Sequence, residues 1–152
     1  MNSDRLSGIA TARRTVHDGI VDEFLHNHRG GARLLAVAGA DAAGSAAFAD
    51  DLAHAFTEHG VAAASVLQEG RGEEALRAEV VSPLRAAGAD AVTIVAGDAS
   101  LLAGRTRWLW HSSVWLAAGD ELVETEADVI VDVVDPQHPS RRFADFCQCD
   151  VG

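Results

Sequence analysis

Residues 34–48 read LLAVAGADAAGSAAF, and this stretch constrains the fold more than any other. Leu34, Leu35, Ala36, Val37 and Ala38 form an apolar run that Gly39 breaks. Small residues lead on to Gly44, and helix-forming residues follow from Ser45. A strand, a glycine-bounded loop and a helix N-terminus in that order can gather backbone N–H groups around a phosphate. The pattern for such a loop is G-x-x-x-x-G-K-[ST]. Gly39 and Gly44 have the required separation, but Ser45 stands at the lysine position and Ala46 at the hydroxyl position. Ser45 brings no charge to the outer phosphates, and Ala46 brings no oxygen to Mg²⁺. The plainer reading is a tight strand-to-helix turn, which uses glycine for steric reasons alone.

The chain of 152 residues suits one domain (1–152) with a sizeable core, and its 48% hydrophobic content excludes a disordered polymer. No apolar run approaches the roughly 20 residues that span a bilayer. The opening MNSDRLSGIATARR lacks the apolar centre of a signal peptide, so a cytoplasmic location is expected. Net charge is -11, from 23 acidic and 12 basic residues. That field opposes nucleic acid, anionic membranes and triphosphates. No Arg or Lys falls within residues 34–68, which contain the whole loop. Cys147 and Cys149 form a C-x-C without a second ligand pair, so neither a zinc site nor an intrachain disulfide is expected.

Along the chain, Ala12, Val16, Ile20, Phe24 and Leu25 recur at helical spacing and predict an N-terminal helix over about 12–28. His26 and His28 fall at its end, where a cation suits the helix dipole. The core is expected over about 33–134, with strands at about 33–38, 61–67, 91–96, 113–117 and 128–133. Helices are expected at about 45–59, at 73–86 with a kink at Pro83, and as a short acidic segment at 120–126. Residues 135–152 read as a C-terminal tail. Strands alternating with helices predict an α/β fold: three layers, α/β/α, around a five-stranded parallel sheet. Trp108, Trp110 and Trp115 lie in WLWHSSVW, next to His111. They could form a base-stacking platform, or simply pack at a strand end or subunit contact.

In that order the segments resemble the uridine-kinase-like P-loop kinases, nucleoside kinases of the P-loop NTPase fold. LLAVAGADAAGSAAFADDLAHAF is similar to their first strand, phosphate loop and helix, with Asp41 where many members carry an aspartate. EALRAEVVSPL, AVTIVAGDASLLAGRTRWLWHSSVWLAA and ADVIVDVVDPQHP resemble the later segments, including Leu109-Trp110 and Asp135-Pro136. The likeness covers most of residues 34–139. It implies a P-loop NTPase-like fold, with Gly39, Asp41, Gly44, Ser45 and Ala46 as the phosphate loop.

The departures from that family share one direction. The metal-organising acid at the end of the third strand falls at Ala96, with Asp98 two residues on. The base after the second strand has only Glu69 to represent it. The arginine-bearing lid is replaced by GDELVETEA at 119–127, which has no Arg or Lys. Phosphoryl transfer depends on positioning and on charge stabilisation of the phosphates. The expectation is therefore a pseudo-kinase: a vestigial phosphate loop, no catalytic residues, no metal and no cofactor. Its expected role is an interaction or structural module that self-associates or binds a protein. ATP and Mg²⁺ enter only under the alternatives: a nucleotide or phosphate binder, or a divergent nucleoside kinase recruiting Arg71, Arg105 or Arg107.

Overall fold

A computed structural model describes residues 2–88, 90–118, 127–135 and 139–142. The helix α1 spans Asn2–Asn27 and leads into strand β1, Ala32–Gly39. Helix α2, Ala42–Glu58, is followed by β2, Ala62–Leu67. The next helical stretch has three parts: α3 (Glu73–Leu76), a π-turn (Arg77–Val81) and α4 (Ser82–Ala87). Strand β3, Ala91–Gly97, precedes two 3-10 turns, Ala99–Leu102 and Thr106–Leu109. Strands β4 (Ser112–Ala117), β5 (Val129–Asp132) and β6 (Ser140–Arg142) complete the sheet.

The sheet has six strands in the order β2-β3-β1-β4-β5-β6, the first five parallel and the last antiparallel to β5. The five-strand expectation is thus corrected by one. Ser140, Arg141 and Arg142 form an edge strand inside the segment read as a tail. Three polar residues carry no period-2 apolar signal, and only pairing with Ile130, Val131 and Asp132 makes them a strand. The acidic segment at 120–126 and the Cys147/Cys149 pair lie outside the described residues.

The central strand explains why its sequence is apolar without alternation. Leu35 and Val37 face one core with Ile20, Val21, Phe24, Phe48, Leu52 and Phe56 from α1 and α2. Leu34, Ala36 and Ala38 face a second core with Leu76, Val80, Val81, Leu101 and Trp115. A strand buried on both faces has no polar side to offer. Phe24 and Phe56 meet edge-on at 5.4 Å and join the two helices.

Pro83 leaves the chain helical. It sits in the first turn of α4, where its missing N–H is no loss, and the π-turn just before it takes up the change in phase. At the opposite end of the sheet, buried Arg33 ties the α1–β1 joint together. Its guanidinium donates to the carbonyls of His28 (2.8 Å) and Gly31 (3.2 Å) and to Asp90 Oδ1 (2.9 Å). Among the described residues no helix is long and apolar enough to cross a membrane.

His111 sits at that same end. Its Nδ1 accepts the N–H of Leu34 (3.0 Å), so the neutral ring carries its proton on Nε2, and it meets His28 edge-on at 5.3 Å. Burial first, then the charges of His28, Arg85 and Arg33, holds its pKa below the ordinary 6.5. The unfolded chain therefore takes up this proton first. The neutral ring's contribution is fully present above about pH 6.5 and is lost as pH falls toward the folded-state value. Melting curves between pH 7.5 and 5 are expected to fall less steeply for His111→Asn, whose amide oxygen can accept the same N–H. Parallel curves for the two proteins would remove the assignment.

Candidate functional site

Winding reverses at the centre of the sheet. The β1–β2 connection steps over β3 to one side, and the β3–β4 connection steps over β1 to the other. Crevices at such a switch point, outside the carboxyl ends of the strands, are where α/β sheets bind ligands. Two cavities open there, one on each side of the turn between β1 and α2. The first, of about 240 Å³, has walls from Gly39, Ala47, Phe48, Leu116, Val133 and Pro139, with Asp41 and Asp51 as its charged groups. The second, of about 330 Å³, lies over the ends of β2 and β3 and includes Ala46, Gln68, Glu69, Gly97 and Asp98.

The turn itself differs from the expected loop. Helix α2 begins at Ala42, three residues before Ser45, so only Ala40 and Asp41 separate it from β1. Asp41 is the N-cap, extended at φ -110 and ψ 110, and its Oδ1 accepts the N–H of Ala43 at 3.1 Å. The N–H of Ser45 goes to the Asp41 carbonyl at 3.0 Å as the first bond of the helix. A phosphate would need those donors facing outward. Here the helix uses one and its own carboxylate another. A helix that begins only at Ser45 would leave that residue's N–H pointing out of its end; the earlier start turns the Ser45 N–H inward.

Gly39 ends β1 against Leu116 and Ser45; a Cβ there would lie 3.3 Å from both side chains. Gly44 packs over the Asp41 carboxylate, 3.3 Å from Oδ2 to an added Cβ. Ser45 is fully buried, and its hydroxyl donates to the Asp41 carbonyl at 3.3 Å. Ala46 lines the second cavity. Gly39, Asp41 and Gly44 line the first, so the five residues are shared between two compartments and one buried position.

Asp98 caps the 3-10 turn after β3. Its carboxylate accepts the Ser100 hydroxyl (2.6 Å) and N–H (2.9 Å), and those bonds hold its pKa below the usual carboxylate range. Glu69 has a left-handed backbone at φ 51, with its carboxylate 3.8 Å from Arg71. Arg71 also pairs with Glu79 at 3.2 Å and donates to the Leu67 carbonyl at 3.1 Å. Arg107 lies 4.5 Å over the ring of Trp108. Neither Arg71, Arg105 nor Arg107 lines either cavity.

The three tryptophans do not form one platform. Trp115 is core, Trp110 donates its indole N–H to the Leu101 carbonyl at 2.8 Å, and Trp108 is 73% exposed. Among the described residues no group of three His, Cys, Asp or Glu side chains could hold a metal ion.

Two features escaped the sequence reading. Gln68, just past β2, is buried between the ends of β2 and β3 and forms part of the wall of the second cavity. Its amide donates to Ser100 Oγ (2.7 Å) and the Arg71 carbonyl (3.1 Å), and its oxygen accepts the Asp98 N–H (3.2 Å). Gly97 is its counterpart, a glycine at a strand end where another side chain approaches closely. The second was open to view: the chain contains no lysine, so all 12 basic residues are arginines.

No protein-family model and no curated sequence matches the chain. Among solved structures, it is similar to a protein provisionally described as a fructose transport system kinase, from Silicibacter sp. TM1040. That likeness has 18% identity and a TM-score of 0.47, over 68% of this chain and 73% of that one. At that level it assigns neither a family nor an activity.

Proposed function

We propose that this chain is a non-catalytic, P-loop-kinase-like domain, a pseudo-kinase that serves as an interaction module. One observation carries the proposal: Ser45, which stands at the position of the loop lysine, is fully buried with its hydroxyl on the Asp41 carbonyl, so no side chain there reaches toward a phosphate. The Asp41 carboxylate, bonded to the Ala43 N–H, adds a fixed negative charge at the α2 N-terminus that opposes a second anion.

The surroundings support it. Asp51, Glu69 and Asp98 line the two cavities, neither of which has a basic side chain among its described residues. With no lysine in the chain, the ammonium that a P-loop directs at the outer phosphates has no candidate. Electrostatic groups of this kind are each worth about 3 kcal/mol in a transition state.

The test is calorimetric titration with ATP, with and without Mg²⁺, beside a transfer assay using labelled ATP and mixed nucleosides. No saturable heat and no labelled product are expected at millimolar nucleotide. Saturable binding without transfer would move the chain to the nucleotide-binding class, and transfer would restore the kinase.

A further inference from the structure

The two edges of the sheet are built differently. β6 is three residues long and carries Arg141 and Arg142, with Arg141 paired to Glu23 of α1. Short, charged edges resist pairing with other strands. β2, at the other edge, reads AAASVL: no charge, no proline, and an unbroken register with β3 from Ala62↔Ala91 to Leu67↔Ala96. Within the strand itself it has no charge, proline or bulge to keep the edge alone; the charged groups that touch it are Arg71, at the Leu67 carbonyl, and Asp50, at the Ser65 hydroxyl.

Backbone parity shows what this edge offers. The N–H of Gln68 bonds the Ala96 carbonyl at 2.8 Å, so Val66 and Ala64, at the same parity, also direct their backbone groups to β3. Ala63, Ser65 and Leu67 direct theirs outward. The Leu67 carbonyl is taken by Arg71, and the Ser65 hydroxyl is bonded to Asp50 of α2. The N–H and C=O groups of Ala63 and Ser65 remain as a symmetric set of four around Ala64.

We infer that β2 pairs antiparallel with β2 of a second copy, about a two-fold axis through Ala64, joining two six-stranded sheets into one. In that register Ala63 of each chain faces Ser65 of the other, and the four groups per chain form four hydrogen bonds. Ala64 meets its symmetry mate at a non-hydrogen-bonded site, where Cα atoms approach to about 4.5 Å and a methyl side chain suits the gap. Ala62 and Ala64 are both exposed, on the face that α3 and α4 leave uncovered, and their methyl groups leave that face clear; Arg71 at the Leu67 carbonyl limits the pairing to the stretch before Leu67.

A second copy fits better than a foreign peptide. Strand-adding domains obtain peptide specificity from pockets for alternate side chains, and from Ala62 to Ser65 this edge presents only small ones. The chain's charge of -11 opposes self-association over most of its surface, and the β2 strand carries none of that charge. The inference deepens the interaction-module reading by naming its partner.

The experiment is sedimentation velocity of the full chain over a concentration series, alone and as Ala64→Lys. Beside it, Ala64→Cys and the exposed control Ala78→Cys are oxidised in a Cys147→Ser/Cys149→Ser background. A concentration-dependent dimer is expected, lost in Ala64→Lys at unchanged melting temperature, with covalent dimer forming at least tenfold faster from Ala64→Cys than from the control. A monomer at every concentration overturns the inference, as does a dimer indifferent to Ala64→Lys or equal cross-linking of the two cysteines. Titration with ATP reads the α2 end rather than this edge. A monomer silent to ATP thus defeats only the dimer, and an ATP-binding dimer defeats only the pseudo-kinase.

Discussion

Ser45→Lys, the substitution that would rebuild the lysine of a phosphate loop, is expected to destabilise the protein and to restore no ATP binding. Ser45 has no exposed surface, its hydroxyl is bonded to the Asp41 carbonyl, and the Gly39 backbone and Leu116 stand close by. A lysine there must force four methylenes into a filled space and take an ammonium out of water. Overpacking and an unpaired buried charge together cost roughly 3 kcal/mol. For a chain of this size that lowers the melting temperature by about 10 °C. Thermal unfolding followed by circular dichroism, with ATP titration of the same sample, checks it. An unchanged melting point together with saturable ATP binding would mean that the first turn of α2 opens into a cradle.

That expectation reverses what the glycine spacing suggested, and the reason is local. Held against G-x-x-x-x-G, Asp41 reads as a loop residue and the helix waits for Ser45. Held against helix-start chemistry, aspartate before Ala-Ala-Gly-Ser-Ala-Ala is an N-cap, and the helix begins at Ala42. Both signals were in the sequence, and the template hid the stronger one.

The α/β character was legible because residues 34–38 and 91–96 are apolar without alternation and lie between helical periods. Phe48, Leu52 and Phe56 likewise announced the buried face of α2. β6 was not legible, since a three-residue edge strand of serine and arginine exists only through its pairing with β5. Gln68 was hidden for a related reason. Nothing in its neighbours marks it as buried until the Leu67↔Ala96 register sets it beside Gly97.

Gly97→Ala tests that register and is the second large effect expected. A Cβ at Gly97 would lie 2.1 Å from Gln68 Oε1, 2.8 Å from its Cβ and 3.0 Å from its Cδ. Rotating the amide away relieves the first contact and gives up its bonds to Ser100, Arg71 and Asp98. The contact with the Gln68 Cβ then still requires the ends of β2 and β3 to part. Overpacking of this kind costs about 2 kcal/mol, and the displaced amide adds about 1 kcal/mol for a lost hydrogen bond. The double variant Gln68→Gly/Gly97→Ala removes the clash, so it should melt no lower than Gln68→Gly alone, a coupling that separates contact from general loss of packing. If Gly97→Ala melts within a degree of the parent, Gln68 is not held against Gly97, and that wall of the second cavity moves at little cost. If it melts well below and the double variant recovers, Gln68 is held against Gly97 as one wall of the second cavity.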